Sequence, residues 1–387
     1  MSVAPDVDSP WRHWLDQQAL NRREQGLWRQ RRVMGKGYLD FAGNDYLGLA
    51  LDSRVIATQA EGARRWGAGA GASHLVSGHL AVHEELEQRL AALVGRPRAL
   101  LFSTGYMANL GVLQALCDSH TAVFQDRLNH ASLLDGARLA GARSRRFHHR
   151  DLDDLHLLLA RSREERKLVV SDGVFSMDGD SADIAGLAAT AASHQAWLMI
   201  DDAHGLGVLG SDGDGCVGRA YDCDQVPILV GTLGKALGTA GAFVAGSQAL
   251  IEHLIQYARG YVYTTAQPPA IAAATLEALT ILEQEPERRT RLHANIAYFR
   301  QAAAQADLPL AASSTPIQPL MLHDTERAMR WAEQLNSHHI AVGAIREPTV
   351  PKGQARLRIT LKATHQRHEI DRLVSALIEC QARESGS

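Results

Sequence analysis

Six short apolar runs mark the middle of this chain: RALLF (98–102), TAVF (121–124), KLVVS (167–171), WLMID (197–201), ILVG (228–231) and AFVAG (242–246). Each is too short for a helix and carries little polar alternation, which is the pattern of a strand buried on both faces. Helical or irregular stretches separate most of them, so the pattern predicts a largely parallel sheet covered on both sides. Upstream, Val82, Leu86, Leu90 and Leu93 recur at helical spacing in AVHEELEQRLAALVG, with Gly95 as the stop. Residues 11–33 read as an Arg-rich amphipathic helix marked by Trp11, Leu15, Leu20 and Leu27, its charge run a solvated face. From about residue 290 the texture changes: RAMRWAEQLNSH alternates with IAVGAI and ARLRITL, and a last helix starts at His365. The expected architecture is α/β, with an N-terminal helical segment (1–43), a large mainly parallel-sheet domain (44–288) and a smaller α+β C-terminal domain (289–387).

Composition narrows the classes. The 387 residues are 45% hydrophobic and 21% charged, ordinary for a globular protein of about two domains. A net charge of −3 makes no case for nucleic acid. No apolar run approaches the ~20 residues that cross a membrane, and MSVAPDVDSPWRHW has no apolar signal core, so the expected location is the cytoplasm. Cys117, Cys216, Cys223 and Cys380 form no C-x-x-C pair, so neither a zinc ribbon nor a redox dithiol is indicated. The pairs His148–His149 and His338–His339 lack ligand spacing, and no metal is expected.

In parallel α/β sheets ligands bind beyond the carboxyl ends of the strands. The segments just after the apolar runs are STGYMAN (103–109), QDRLNHAS (125–132), SDGVFSMDGD (171–180), DDAHGLG (201–207) and GTLGKALG (231–238). A carboxylate, histidines, hydroxyls and one amine thus converge on one rim. The amine stands out. Of 40 basic residues only Lys36, Lys167, Lys235, Lys352 and Lys362 are lysine, and Lys235 sits among Gly, Ala and Thr. Arginine cannot replace an amine that must lose its proton and attack a carbonyl. A P-loop is ruled out because Ala236 follows the lysine and Leu229 stands where its first glycine belongs. GAGAGAS (67–73) is no dinucleotide fingerprint, Asp201 with His204 is too few ligands for zinc, and no G-x-S-x-G elbow occurs.

A pyridoxal phosphate site fits these residues. Lys235 supplies the Schiff-base amine, and Asp201, ending a buried strand, a carboxylate for the pyridinium nitrogen. Gly105 and Tyr106 open a helix suited to a phosphate, Thr232 adds a hydroxyl, and His130 can stack on the ring. Plainer readings compete: His130 as a core histidine bonded to backbone, Ser176 as a turn cap, Arg358 as a surface ion pair.

From about residue 15 to 380 the chain resembles the α-oxoamine synthases, which belong to the aspartate-aminotransferase-like fold (fold type I) of pyridoxal phosphate enzymes. The likeness rests on NDYLGLA (44–50), GASHLVSGH (71–79), NHASLLDGAR (129–138), DGVFSMDGD (172–180), DDAHGLGVLG (201–210), GTLGKALG (231–238) and PTVPKGQARLRITL (348–361). The resemblance implies that Lys235 carries the cofactor and later moves protons, Asp201 pairs with the ring nitrogen, and His130 stacks on the ring. It places His204 and Ser176 beside the ring and its 3-oxygen, and Gly105, Tyr106 and Thr232 by the phosphate. It implies that Thr264 or Thr265 of YVYTT reaches the phosphate in a partner subunit of a homodimer. Arg358 would hold the amino-acid carboxylate with Asn44 nearby, Thr349 belongs to the substrate set, and Arg29 lies near the acyl substrate. The implied reaction is a decarboxylative condensation of L-alanine with a pimeloyl thioester, on CoA or on acyl carrier protein. Sister enzymes that use glycine with acetyl- or succinyl-CoA, or serine with a long acyl chain, are the competing expectation. They tend to carry arginine where this chain has Ser73 and His74. Two departures stand out: Glu347 where relatives often have a second proline, and a long 211–227 segment, expected to bear on the acyl entrance and not to touch the chemistry.

Overall fold

The computed structural model describes residues 9–385 apart from Arg32 and Lys36, and the chain divides into two compact units, 1–38 and 39–387. The first unit holds α1 (Pro10–Glu24), started by the Ser9 hydroxyl, which accepts from the Trp11 amide at 3.3 Å, with proline at its first position. The helix ends well before residue 33. Gly26 takes φ +65°, and the Leu27 amide closes back on the Arg22 carbonyl at 2.8 Å, a glycine-terminated C-cap. Arg29 therefore lies on an exposed, non-helical stretch.

The second unit opens with β1 (Leu39–Asp40), α2 (Ser53–Trp66) and α3 (Ala81–Leu93), and Gly95 stops α3 at φ +64° as its position suggested. There follow β2 (Arg98–Phe102), α4 (Gly105–Leu116), β3 (Thr121–Asp126), α5 (Ala131–Leu139), β4 (Arg143–Phe147), α6 (Leu152–Ala160), β5 (Arg166–Asp172), α7 (Ile184–Ser193), β6 (Trp197–Asp201), β7 (Ile228–Thr232) and β8 (Ala242–Gly246). These strands make one seven-stranded sheet in the order β2-β8-β7-β6-β5-β3-β4. All six apolar runs are strands of it. From β4 to β7 the strands are parallel, while β8 runs against both neighbours. The edge strand β4, RSRRF, escapes the apolar pattern because one side of it has no partner strand and its arginines reach solvent.

After α8 (Gln248–Tyr257), α9 (Arg259–Val262), α10 (Pro269–Gln284) and α11 (Glu287–Gln305), the chain forms β9 (Ile317–His323), α12 (Thr325–Ser337), β10 (Ile340–Ala341), β11 (Gly343–Ile345), β12 (Ala355–Thr360) and α13 (Arg367–Ser385). A three-stranded antiparallel sheet has the order β11-β12-β9, and β10 pairs with β1. In β12 the alternation decides function. Leu357 and Ile359 enter the core, and Arg356 and Arg358 point the other way. Arg356, 1% exposed, bonds Asp178 Oδ1 at 2.5 Å and the Met177 carbonyl at 3.2 Å. That pair seats the small sheet on the loop after β5.

His149 ties the same loop to β3. Its Nδ1 meets Asp126 Oδ1 at 3.0 Å and its Nε2 meets Asp180 Oδ2 at 2.9 Å. Desolvation alone would lower its pKa, but the two carboxylates win and raise it from 6.5 to about 9. A raised pKa stabilises the fold fully below the unfolded value and ceases to do so as pH rises through the folded one. The melting-temperature gap between wild type and His149→Gln is therefore expected to be widest near pH 6 and to close by about pH 9. A gap that does not narrow across a pH series of thermal melts contradicts the clamp.

Candidate active site

Lys235 lies in the turn between β7 and β8. The turn is rigid because it bonds to itself: Leu233 N–H to Gly241 O, Thr239 N–H to Leu233 O and Gly238 N–H to Lys235 O, all at 2.9 Å. Thr232 Oγ1 donates to the Gly241 carbonyl at 3.1 Å. Gly238 takes φ +68°, and a Cβ there would stand 2.2 Å from the Ala50 amide, so the turn rests directly on NDYLGLA. Lys235 Nζ reaches His204 Nε2 at 2.9 Å. Desolvation lowers the Lys235 pKa to about 8, against the pull of Asp201 and Asp172.

His204 is buried and its pKa is lowered well below the ordinary value, first by desolvation and then by Lys235. It is a neutral ring, and its other nitrogen, Nδ1, meets Tyr46 Oη at 2.6 Å. Burial pushes Tyr46 up to about 12, so it keeps its proton and donates to Asn44 Oδ1 at 3.3 Å. Arg358 Nη2 donates to the same oxygen at 3.0 Å, and its Nε donates to the Ser176 carbonyl at 2.6 Å. One run of hydrogen bonds thus joins Lys235, His204, Tyr46, Asn44 and Arg358.

Asp201 closes β6. Its Oδ1 accepts from the Ala203 amide at 3.0 Å and its Oδ2 from Asn109 Nδ2 at 2.6 Å. Beside it in register, Asp172 closes β5 and accepts the His130 amide at 2.8 Å. Desolvation and then the Asp201 charge raise the Asp172 pKa well above the carboxylate range. Asp202 points the other way and is pushed up to about 7 by burial. Its Oδ2 accepts the Cys216 amide at 2.7 Å. The 211–227 segment, expected to stay clear of the chemistry, therefore braces the neighbour of Asp201. His130 caps α5 at the rim. Its pKa is lowered mainly by desolvation, with Lys235 adding to that and Asp201 opposing it.

Thr104 caps α4, its Oγ1 accepting from the Met107 amide at 3.1 Å. A Cβ on Gly105 would meet nothing within 4 Å, so the first turn of α4 is open to a ligand. Tyr106 donates its hydroxyl proton to Asp135. Thr264 and Thr265 follow α9, and Thr265 pairs with Ser73. Thr349 is exposed and its amide bonds to the Arg346 carbonyl at 2.9 Å. Among the described residues no hydrogen bond joins Thr264, Thr265 or Thr349 to the Lys235 network, and Arg29 belongs to the other unit. Tyr46 in that run, and Asn109, Ser132 and Asp172 around Asp201 and His130, join the site without having been singled out. Each lies in a segment the sequence reading quoted, but nothing local tells such a residue from a cap.

Three imidazoles also gather at the start of α3, with His74 Nδ1 and His79 Nδ1 2.8 Å apart. His83 Nδ1 accepts the Leu80 amide at 3.0 Å and Nε2 meets the Gln267 carbonyl at 2.8 Å, so both its nitrogens are committed. His79 Nε2 also meets Glu84 Oε2 at 3.3 Å, so these rings are spent on one another and on neighbours, and the group reads as a helix cap.

The residues present fit pyridoxal phosphate: an amine with a lowered pKa, a donor-served carboxylate at a strand end, and an open helix N-terminus. The chain matches the family Aminotransferase class I and II over residues 36–377. It is 68% identical to an 8-amino-7-oxononanoate synthase of Chromohalobacter salexigens, over 97% of this chain and 98% of that one. Among solved structures it is similar to a serine palmitoyltransferase of Sphingomonas wittichii, at 28% identity and TM-score 0.90, covering 98% of this chain and 99% of that one. It is also similar to an 8-amino-7-oxononanoate synthase of Francisella tularensis, at 31% identity and TM-score 0.80, covering 91% and 100%.

Replacing Lys235 by Ala is expected to abolish turnover and the cofactor's visible absorbance while leaving the thermal melt of the cofactor-free chain in place. Asp201→Asn keeps the shape but loses the charge. Its turnover is expected to fall by at least roughly 10–150-fold, the worth of a hydrogen bond to a charged group. Steady-state rates and absorbance spectra check both, and an Asp201→Asn enzyme at wild-type rate contradicts the role of the carboxylate.

Proposed function

The chain belongs to the class I and II aminotransferases and, within them, to the 8-amino-7-oxononanoate synthases, pyridoxal phosphate-dependent acyltransferases of biotin biosynthesis, and on that premise we propose that it condenses L-alanine with a pimeloyl thioester. The observation that carries this reading is Arg358 at the far end of the hydrogen-bond run from Lys235. An amino acid whose carboxylate meets Arg358 has its Cα turned toward the amine that must handle the Cα proton.

Lys235, Asp201 and the first turn of α4 are the residues that would hold the cofactor, with His130 against its ring. Pyridoxal phosphate supplies an electron sink that makes the amino-acid Cα acidic. Lys235 Nζ takes the Cα proton, and its lowered pKa makes the free amine accessible near neutral pH. His204 Nε2 faces Nζ, and Tyr46 holds the ring from its other nitrogen. The Cα electron pair then forms a bond to the thioester carbonyl carbon, and the C–S bond breaks, its pair leaving with a thiolate that takes a proton from water. Loss of CO2 breaks the bond from Cα to the carboxylate that Arg358 orients. A proton returned from Nζ to Cα completes the amino-ketone.

We assign the cofactor residues to segment 44–288 and the carboxylate clamp to segment 289–387. We also propose a cytoplasmic homodimer in which Thr264 or Thr265 serves the partner's phosphate. No helix among the described residues is long and apolar enough to cross a membrane. Arg29 is proposed for the far carboxylate of the pimeloyl group, since a bidentate guanidinium suits it. Thr349 stays with the substrate set, and acyl carrier protein or CoA brings the acyl group.

Alanine differs from glycine by a methyl group, so kcat/KM is expected to favour alanine by roughly 10–200-fold. Arg29→Ala is expected to raise KM for the pimeloyl thioester and not for alanine. Product masses from a panel of amino acids and thioesters test the reading, and preference for glycine with acetyl-CoA overturns it. Mixing Lys235→Ala chains with inactive Thr264→Ala/Thr265→Ala chains is expected to restore activity. Heterodimers without activity overturn the shared site.

A further inference from the structure

Asn109 is 1% exposed, polar, and used by no step above. It lies on α4 one turn beyond Gly105. Its Nδ2 donates to Asp201 Oδ2 at 2.6 Å and to Ser132 Oγ at 2.9 Å. Turning the amide over would set its oxygen against the Asp201 carboxylate, acceptor against acceptor, so its orientation is fixed. An amide nitrogen only donates, so Ser132 Oγ accepts from Asn109 with one lone pair and keeps its own proton for its other contact. Its outlet is His130 Nδ1, at 2.7 Å. The Ser132 backbone N–H also points at that nitrogen, at 3.3 Å. A nitrogen that faces two donors carries no hydrogen of its own.

We propose that Asn109 is a positioning residue that uses the two hydrogens of one amide for two tasks: it aims the Asp201 carboxylate and, through Ser132, it fixes His130 as the tautomer protonated on Nε2. Such a His130 is neutral, and a neutral flat ring can lie against a protonated pyridine ring without repelling it. A protonated His130 would drive a hydrogen at the Ser132 N–H and force the Ser132 hydroxyl, held by Asn109, to turn its own proton away. The charged groups that face His130 are Asp201, Lys235, Asp135 on its own helix, and Asp172, which takes its backbone amide. Among the described residues the hydrogen bonds of the ring itself go to Ser132. The tautomer is therefore set by Ser132, whose backbone N–H faces Nδ1 and whose hydroxyl, held from behind by Asn109, turns its proton to the same nitrogen. The same helix whose first turn is open to a phosphate also aligns, one turn later, the carboxylate for the opposite end of the cofactor.

The inference rests on the cofactor class and not on which substrates are used. The test is nitrogen NMR of the holoenzyme labelled in histidine, with the His130 signals assigned by their loss in His130→Gln. In wild type, Nδ1 is expected to be bare and Nε2 protonated from about pH 6 to 8. Asn109→Ala frees Ser132 to accept, so His130 is expected to titrate at higher pH. The kcat of that variant is expected to fall roughly 10–100-fold, as for outer partners of metal ligands, with KM for the amino acid little changed. Ser132→Ala is expected to shift the His130 titration in the same way and to keep the Asp201 contact. An unchanged His130 nitrogen pattern in a folded Asn109→Ala enzyme overturns the proposal. Should that variant not fold, an unchanged pattern in Ser132→Ala overturns it. Neither readout needs substrate, so each fails separately from the alanine and pimeloyl reading.

Discussion

Everything at the site depends on what Lys235 is allowed to bond. Its partner is a neutral imidazole, His204 Nε2, although Asp201 and Asp172 both bear on its charge. Had a carboxylate taken that place, the ammonium would be held as an ion pair and the amine would be hard to free. The rest of the structure serves to keep the carboxylates off. Asp201 is occupied by Asn109 and Ala203, Asp172 by the His130 amide, and Asp202 by Cys216 on the far side of the strand end. Three acids and one amine stay close together because each acid has a donor of its own.

That arrangement also explains why two sheets are needed. Parallel β5, β6 and β7 end at one level and deliver Asp172, Asp201 and the lysine turn side by side. On the proposed reading the substrate's carboxylate is held by a cation from elsewhere, since a second cation on the same strand ends would compete for those acids. β12 offers one from the antiparallel sheet. Arg358 keeps to the acceptors Ser176 O, Thr360 Oγ1 and Asn44 Oδ1, while Arg356 two residues earlier spends its charge on Asp178.

Much of this was legible in the sequence. The strands were visible because a strand buried on both faces must be apolar, and their ends named Lys235, Asp201, His204 and His130. Strand direction was not legible: AFVAG is buried alike whether it runs with or against its neighbours, and β8 runs against them. RSRRF was hidden because an edge strand can carry arginines. The helix of 11–33 was overextended because Gly26 was passed over as a stop. At the site, what escaped was the second layer. Asn109 and Ser132 lie on helices, and Tyr46 in a loop, where such residues commonly cap or pack, and only the long-range contacts separate them from that background.

The scarcity of lysine carries a practical consequence for chemical labelling. Acylating and reductive-alkylation reagents attack unprotonated amines, and this chain offers few. Lys362 is tied to Asp40 and Lys167 to the His194 carbonyl. Lys352 is exposed and open to such reagents, whereas Lys235, depressed to about 8, offers a mildly alkaline, amine-directed probe a free base that the cofactor would cover. A mass-spectrometric footprint of the enzyme would be short, and occupancy of the lysine turn by cofactor would show in it as protection of a single peptide.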